Sequence, residues 1–146
     1  MTDVRPVPAG FHTVTPYLVV AGVAPLLDFL ERAFGAEVIE RFARPDGSIA
    51  HAQLRIGDSM LEASDARPEW PPRPATLHLY LPDCDAAYAR AMAAGAKSLF
   101  APDTKFYGDR EAGVEDPAGN QWFLATRVEE VSPEELAKRA AESTTP

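Results

Sequence analysis

The chain carries the same local pattern twice, and this repetition limits the folds that it can adopt. A β-branched and aromatic stretch, residues 13–20, precedes an apolar helical pattern that ends at Gly35. About sixty residues further on, a second extended stretch, 76–81, precedes a helical pattern that ends at Gly95. A duplicated strand–helix unit indicates a fold made of two similar halves.

Each helical pattern is followed by three further strand patterns separated by turn residues. These predicted strands cover residues 37–44, 48–56 and 59–64 in the first half, and 97–101, 112–115 and 121–128 in the second. We therefore predict an α+β fold of paired βαβββ modules within a single domain. Its parts are a first module at 11–64, a proline-rich linker at 65–75, a second module at 76–128 and a short C-terminal helix at 132–142.

Composition and charge argue against several classes of function. The 146 residues are 46% hydrophobic, which is enough for one core. A net charge of −8 argues against nucleic-acid binding, and no run approaches the roughly 20 apolar residues of a membrane span. Cys84 is the only cysteine and the first residues lack a signal-peptide pattern, so we expect a cytoplasmic protein.

The two-residue period of the strands predicts which side chains share a face. Leu77, Leu79 and Leu81 form an apolar set, which we expect to face the helices. The opposite sets hold aromatic, amide and ionisable side chains: Tyr17; His51, Gln53 and Arg55; Met60 and Glu62; Thr76, His78 and Tyr80; Gln121 and Phe123. A face with this mixture is typical of a ligand pocket rather than of a core.

Several segments resemble one known family. The segments HTVTPYLVV, HAQLRIGDS, LHLYLPDCDA, FYGDR and VSPEELAKRAA are similar to motifs of the vicinal oxygen chelate superfamily, in its PhnB-like branch. This superfamily contains glyoxalase I, extradiol dioxygenases, fosfomycin resistance enzymes and bleomycin resistance proteins. The resemblance implies a curved mixed sheet around a cleft, and a homodimer that binds a small molecule.

The resemblance also implies where a metal would be bound. Metal-dependent members use His, Gln or Glu at four positions, which correspond here to Thr15, Glu62, Thr76 and Phe123. Only Glu62 is a good ligand, so we expect no cofactor at these positions. An alternative is a rewired divalent-metal site made by His51, Glu62 and His78, and otherwise these side chains line the pocket.

Two functions remain open at this point. The first is a metal-free binding protein of the bleomycin resistance type that sequesters an aromatic or cationic compound. The second is a glyoxalase-like isomerase or lyase in which Glu62 is the base and His51 and His78 assist it. The candidate ligand-binding residues for either function are Tyr17, Gln53, Arg55, Met60, Thr76, Tyr80, Tyr107, Arg110, Gln121 and Phe123.

Two side chains in loops have alternative roles. Arg110 is suited to clamp a ligand carboxylate, or else to order its loop by pairing with Asp109 or Asp116. Trp70 in the linker is either a lid over a ligand or an aromatic side chain on the surface.

Overall fold

The computed structural model describes residues 3–143 and contains two βαβββ units followed by a helix. The first unit consists of β1 (Tyr17–Val20), α1 (Val23–Phe34), β2 (Glu37–Ala43), β3 (Ile49–Ile56) and β4 (Ser59–Asp65). The second unit consists of β5 (Thr76–Tyr80), α2 (Cys84–Ala93), β6 (Lys97–Thr104), β7 (Asp109–Glu115) and β8 (Gln121–Arg127), and α3 (Pro133–Ser143) follows it. No helix within residues 3–143 is both long and apolar enough to cross a membrane.

Each unit forms its own four-stranded mixed sheet. The strand orders are β1-β4-β3-β2 and β5-β8-β7-β6, so the two sheets have the same topology. In both, the first strand lies parallel to the last, and the other pairs are antiparallel. Tyr17 lies opposite Glu62 in the first sheet, and His78 lies opposite Phe123 in the second. The predicted fold class, paired βαβββ modules, is confirmed.

Some strand limits differ from the pattern. Strand β1 begins at Tyr17 rather than at residue 13, because Pro16 has no N–H and only its C=O takes part, accepting a hydrogen bond from the Glu62 N–H at 3.0 Å. Strand β7 begins at Asp109 rather than at residue 112, since a tight turn in which the Lys105 N–H donates to the Asp109 C=O joins it to β6. Strand β7 is therefore longer than predicted, and its first residues, Asp109 to Glu111, are polar.

The two helices join the modules through an apolar contact. Leu26, Leu27 and Leu30 of α1 are buried in the core. Phe34, at the end of α1, places its ring 5.4 Å from that of Trp122 on β8. Because α1 also packs against α2, the helices hold the two sheets beside each other.

The proline-rich linker is fixed along the edge of β1. The Ala66 N–H donates to the Val20 C=O at 2.8 Å, and the Arg73 N–H donates to the Val19 C=O at 3.0 Å. At the far end, the Ala75 N–H donates to Asn120 Oδ1 at 2.9 Å. These hydrogen bonds fix the position at which the linker ends and β5 begins.

The start of each helix is held by a polar side chain at the end of the sheet. Asp65 at the end of β4 accepts hydrogen bonds from the Gly22 and Val23 N–H groups at 2.8 and 3.0 Å, and from the Ile49 N–H at 2.7 Å. In the second module, Thr126 Oγ1 accepts from the Cys84 N–H at 2.8 Å. Burial works against the charge of Asp65, but the three backbone donors outweigh it, so its pKa is lowered.

We expect replacement of Asp65 by Ala to lower the free energy of unfolding by about 2 kcal/mol at pH 7, because three backbone donors lose their acceptor. The lowered pKa means that this stabilisation is present above the usual value of 3.8 and is lost as the pH falls through the folded-state value. The difference between the two proteins should therefore shrink in acid. Urea unfolding from pH 7 to pH 3 measures it.

The matched control is Asp28→Asn, because Asp28 is exposed on α1 and makes only a surface pair with Arg32 at 3.6 Å. A loss for Asp65→Ala no larger than the loss for this control would contradict the assigned role of Asp65.

Candidate functional site

A cleft of about 750 Å³ lies between β1 and β5. Each of these strands has one neighbour among the named strands, β4 for β1 and β8 for β5, so β5 presents an open edge. The other edge of β1 is met by the linker at Val19, whose C=O accepts the hydrogen bond from the Arg73 N–H. The cleft is lined by Pro16, Tyr17, Leu18, Ile56, Gly57, Asp58, Ser59, Leu61, residues 75–81 and Trp122. Its wall is mostly apolar.

The two leucines of β5, and Leu81 directly after it, have a position that strand alternation alone did not predict. Leu77, Leu79 and Leu81 were expected to face the helices, and they do pack against the buried core. They are nevertheless only half-buried, and all three also line the cleft. The physical reason is that β5 is an edge strand with no neighbour on this side, which the alternation of its side chains cannot show.

The structure separates the predicted site residues into those at the cleft and those away from it. At the cleft are Tyr17, Thr76, His78 and Tyr80. The side chains of the other candidates do not line it: His51, Gln53, Arg55, Met60, Glu62, Tyr107, Arg110, Gln121 and Phe123. The pocket face read from the strands is thus divided between two sheets.

In the first sheet, the polar side chains of the predicted site contact other side chains of the protein. His51 Nε2 lies 3.2 Å from Glu62 Oε1, and His51 Nδ1 lies 3.5 Å from the Tyr17 hydroxyl. Arg55 forms an exposed ion pair with Glu37, with Nη2 and Oε2 2.5 Å apart. Both nitrogens of His51 therefore have polar neighbours within the protein.

In the second sheet, a buried carboxylate stands behind the imidazole of His78. His78 Nε2 lies 3.3 Å from Glu111 Oε1. The Tyr107 hydroxyl donates a hydrogen bond to the other oxygen, Glu111 Oε2. Burial and then this hydrogen bond raise the pKa of Tyr107, so the phenol keeps its proton and acts as the donor. Glu111 thus links Tyr107 to the histidine at the cleft.

A second buried carboxylate stands behind Tyr80 in the same way. The Tyr80 hydroxyl donates to Asp109 Oδ2 at 3.2 Å, and Arg127 Nε donates to Asp109 Oδ1 at 2.6 Å. The rings of Tyr80 and His78 are neighbours, with centroids 4.9 Å apart. The cleft therefore presents two adjacent polar rings, and each is oriented by a carboxylate on β7.

Sequence reasoning missed Glu111 and Arg127. The predicted strand began at residue 112, and a strand that starts at Asp109 would have placed Asp109 and Glu111 on one face by the same alternation. The missing signal was the length of β7, because its polar first residues resemble a loop.

Arg110 lies on the opposite face of β7. Its guanidinium makes a two-pronged contact with Asp85 of α2, with Nε to Oδ2 at 2.7 Å and Nη2 to Oδ1 at 2.9 Å. The expected partners Asp109 and Asp116 bind other groups, namely Arg127 with Tyr80 and Trp122 with Asn120. Arg110 therefore holds the sheet to α2.

The possible metal ligands do not converge within residues 3–143. His51 contacts Glu62, whereas His78 contacts Glu111, and no group of three His, Cys, Asp or Glu side chains there is placed to hold a metal ion. At the fourth family position, Phe123 stacks on Phe100 with ring centroids 6.1 Å apart.

Trp70 lines a second, smaller cavity of about 470 Å³. This cavity also contains Arg44, Arg67, Tyr17 and Asp65. Trp70 is 69% exposed and does not line the cleft between β1 and β5. It lies beside that cleft rather than across it.

A family model described as the glyoxalase/bleomycin resistance protein/dioxygenase superfamily matches residues 10–124. The chain belongs to this superfamily. The match covers the first βαβββ module and the second as far as the middle of β8.

Individual proteins are similar to the chain in sequence or in fold. The chain is 35% identical to the uncharacterized protein Mb0911c of Mycobacterium bovis, over 84% of this chain and 88% of that one. Among solved structures, TioX from Micromonospora sp. ML1 has a TM-score of 0.64 at 24% identity, over 79% of this chain and 99% of that chain. A PhnB protein from Bacillus cereus has a TM-score of 0.59 at 11% identity, with coverage of 79% and 99%. These two structures support the fold alone.

We expect Tyr107→Phe to lower the free energy of unfolding by about 1–3 kcal/mol, because a buried carboxylate loses a hydrogen-bond donor. Tyr88→Phe is the matched control, since the Tyr88 hydroxyl bonds only to the exposed Ser98 hydroxyl at 2.7 Å. Thermal and urea unfolding of both variants measure the difference. Equal losses would show that the Tyr107–Glu111 contact is no stronger than a surface hydrogen bond.

Proposed function

We propose that the protein binds a small molecule in the cleft between β1 and β5 and needs no metal to do so. The size and lining of the cleft carry the proposal, since about 750 Å³ lies within the usual range of roughly 300–1,000 Å³ for ligand sites. Its walls combine leucines with the rings of Tyr17, His78 and Tyr80. A mostly apolar pocket with a few polar tips suits a compact organic ligand.

The lining favours a flat ligand that is neutral or cationic. Aromatic rings bind flat molecules by stacking, and they attract cations at their faces. Among the described residues that line the cleft, Asp58 is the acidic one, and no Lys or Arg is present. The net charge of −8 adds a favourable long-range field for a cation. Sequestration of such a compound, as in bleomycin resistance proteins, is the activity that we propose.

Thioflavin T, a flat cationic dye, tests this proposal by equilibrium dialysis. We expect saturable binding, and about fivefold weaker binding by Tyr80→Ala, because loss of one stacked ring removes about 1 kcal/mol. Trp70→Ala is the control, since this exposed aromatic side chain lies outside the cleft. Equal weakening in both variants, or no saturable binding, would contradict the proposed site.

We also propose that two copies of the chain associate as a homodimer. The sheets end in the outer edge strands β2 and β6, and these carry exposed apolar side chains, Ile39, Phe42 and Leu99. Open strand edges with such side chains readily pair with another chain. We expect sedimentation at twice the mass of the chain, and a shift to the monomer in Phe42→Glu but not in Val14→Glu, which is exposed outside the strands. A wild-type monomer would contradict this proposal.

An isomerase is the second candidate function. The 3.2 Å contact between His51 Nε2 and Glu62 Oε1 favours it, because a histidine beside a carboxylate is a common acid–base pair. In this form of the proposal, Glu62 removes a proton from a carbon beside a carbonyl group, as the resemblance to glyoxalases implies.

A further inference from the structure

We propose that His78 is the acid–base group of the cleft and that Glu111 positions it, so that the protein moves a proton at a carbon beside a carbonyl group of its ligand. This inference rests on the proposed binding of a small molecule in the cleft and adds a reaction to it. It assigns the chemistry to the second sheet, rather than to Glu62 and His51.

One ring nitrogen of His78 contacts Glu111, and the other is available to a ligand. Nε2 lies 3.3 Å from Glu111 Oε1, while Nδ1 makes no hydrogen bond with any residue between 3 and 143. A neutral imidazole whose Nε2–H donates to Glu111 has an unprotonated Nδ1, which can accept a proton. The side chain is 42% exposed and lines the cleft, so a bound molecule can reach it.

The alternative histidine lacks this arrangement. Both nitrogens of His51 have polar neighbours, Glu62 and the Tyr17 hydroxyl, and His51 does not line the cleft. The carboxylate partners also differ in burial, since the side chain of Glu62 is 24% exposed and that of Glu111 only 11%. The imidazoles differ in the opposite sense, since the side chain of His78 is 42% exposed and that of His51 30%. The second pair therefore combines a more buried carboxylate with a ring that is more accessible to a ligand.

A small residue on the strand between them lets His78 and Glu111 meet. The two side chains come from β5 and β7, which are separated by β8 and thus by roughly 10 Å. On β8, Ala125 is paired with Glu111 on one side and with Tyr80 on the other. Its methyl group leaves room above the sheet, and Tyr107 fixes the carboxylate from behind. Glu111 is thus held in place independently of the ligand.

The open edge of β5 supplies a hydrogen-bond donor for the carbonyl oxygen of the ligand. In the parallel pair with β8, the Leu81 N–H donates to the Ala125 C=O. Because alternate residues of a strand bond to a given neighbour, the Tyr80 N–H points away from β8, toward the open edge. A carbonyl oxygen of the ligand can accept this bond, which becomes stronger as negative charge develops on the oxygen.

The proposed step conserves atoms and electrons without a further reactant. Nδ1 of His78 takes the proton from the carbon, the C–H electron pair forms the enolate, and the imidazolium is stabilised by Glu111. The proton then returns to the same carbon, which gives exchange or epimerisation. In a β,γ-unsaturated ketone the proton can instead return to the γ-carbon of the dienolate while the double bond shifts, which gives isomerisation.

Deuterium exchange into 2-tetralone, a flat ketone with an acidic C–H, tests the inference in D₂O by proton NMR. We expect exchange above the buffer rate, and at least a hundredfold loss in His78→Gln. Glu111→Gln should lower the exchange rate at saturation at least tenfold and leave the affinity for 2-tetralone unchanged, because Glu111 acts through His78. The ¹⁵N shifts of His78 should show a change of tautomer in Glu111→Gln, which a purely structural role would not produce.

His12→Gln and Glu115→Gln are the matched controls and should keep the wild-type rate, since neither side chain lines the cleft. Binding of 2-tetralone, measured separately by dialysis, distinguishes the possible failures. Saturable binding with exchange at the buffer rate overturns this inference and leaves the binding function intact. Absence of saturable binding contradicts both. A loss of exchange confined to His51→Gln and Glu62→Gln overturns the assignment to His78 and supports the second candidate function.

Discussion

Two buried carboxylates on β7 need hydrogen-bond donors from other side chains of the protein. Two of these donors, Tyr80 and His78, form the polar part of the cleft wall. Counted over the whole residue, Asp109 is 2% exposed and Glu111 8%, and both lie on the same face of the strand. A buried carboxylate without a partner costs several kcal/mol, so the surrounding side chains must supply donors. The donors are Arg127 and Tyr80 for Asp109, and Tyr107 and His78 for Glu111. These contacts orient the rings of Tyr80 and His78 at the cleft.

The fold could be predicted from the sequence because its signals are local, whereas the site depends on the relation between strands. Helix periodicity and the terminal Gly35 placed α1 correctly, and the repeat then indicated the second module. Alternation placed His51 and His78 on one kind of face but could not show that they belong to different sheets with different partners. Glu111 was missed because the polar first residues of β7 resemble a loop.

The two modules retain the same framework and differ in the side chains on their functional faces. Both helices begin at a polar group on the last strand of the module, Asp65 in one and Thr126 in the other. On the functional faces, by contrast, the equivalent pairs are Tyr17 with Glu62 and His78 with Phe123. Capping constrains the backbone and therefore persists, while the exposed face of a sheet can change without loss of the fold.

The most direct test of the account is a residue-resolved map of the binding site, obtained from backbone amide shifts in an NMR titration with thioflavin T. If the ligand binds in the cleft, the largest shifts fall on residues 17–18 and 76–81, which border it, while β2 and β6 at the outer edges stay unchanged. Shifts centred on Trp70 and the smaller cavity, or spread evenly over the surface, would contradict the claim that the cleft between β1 and β5 is the functional site.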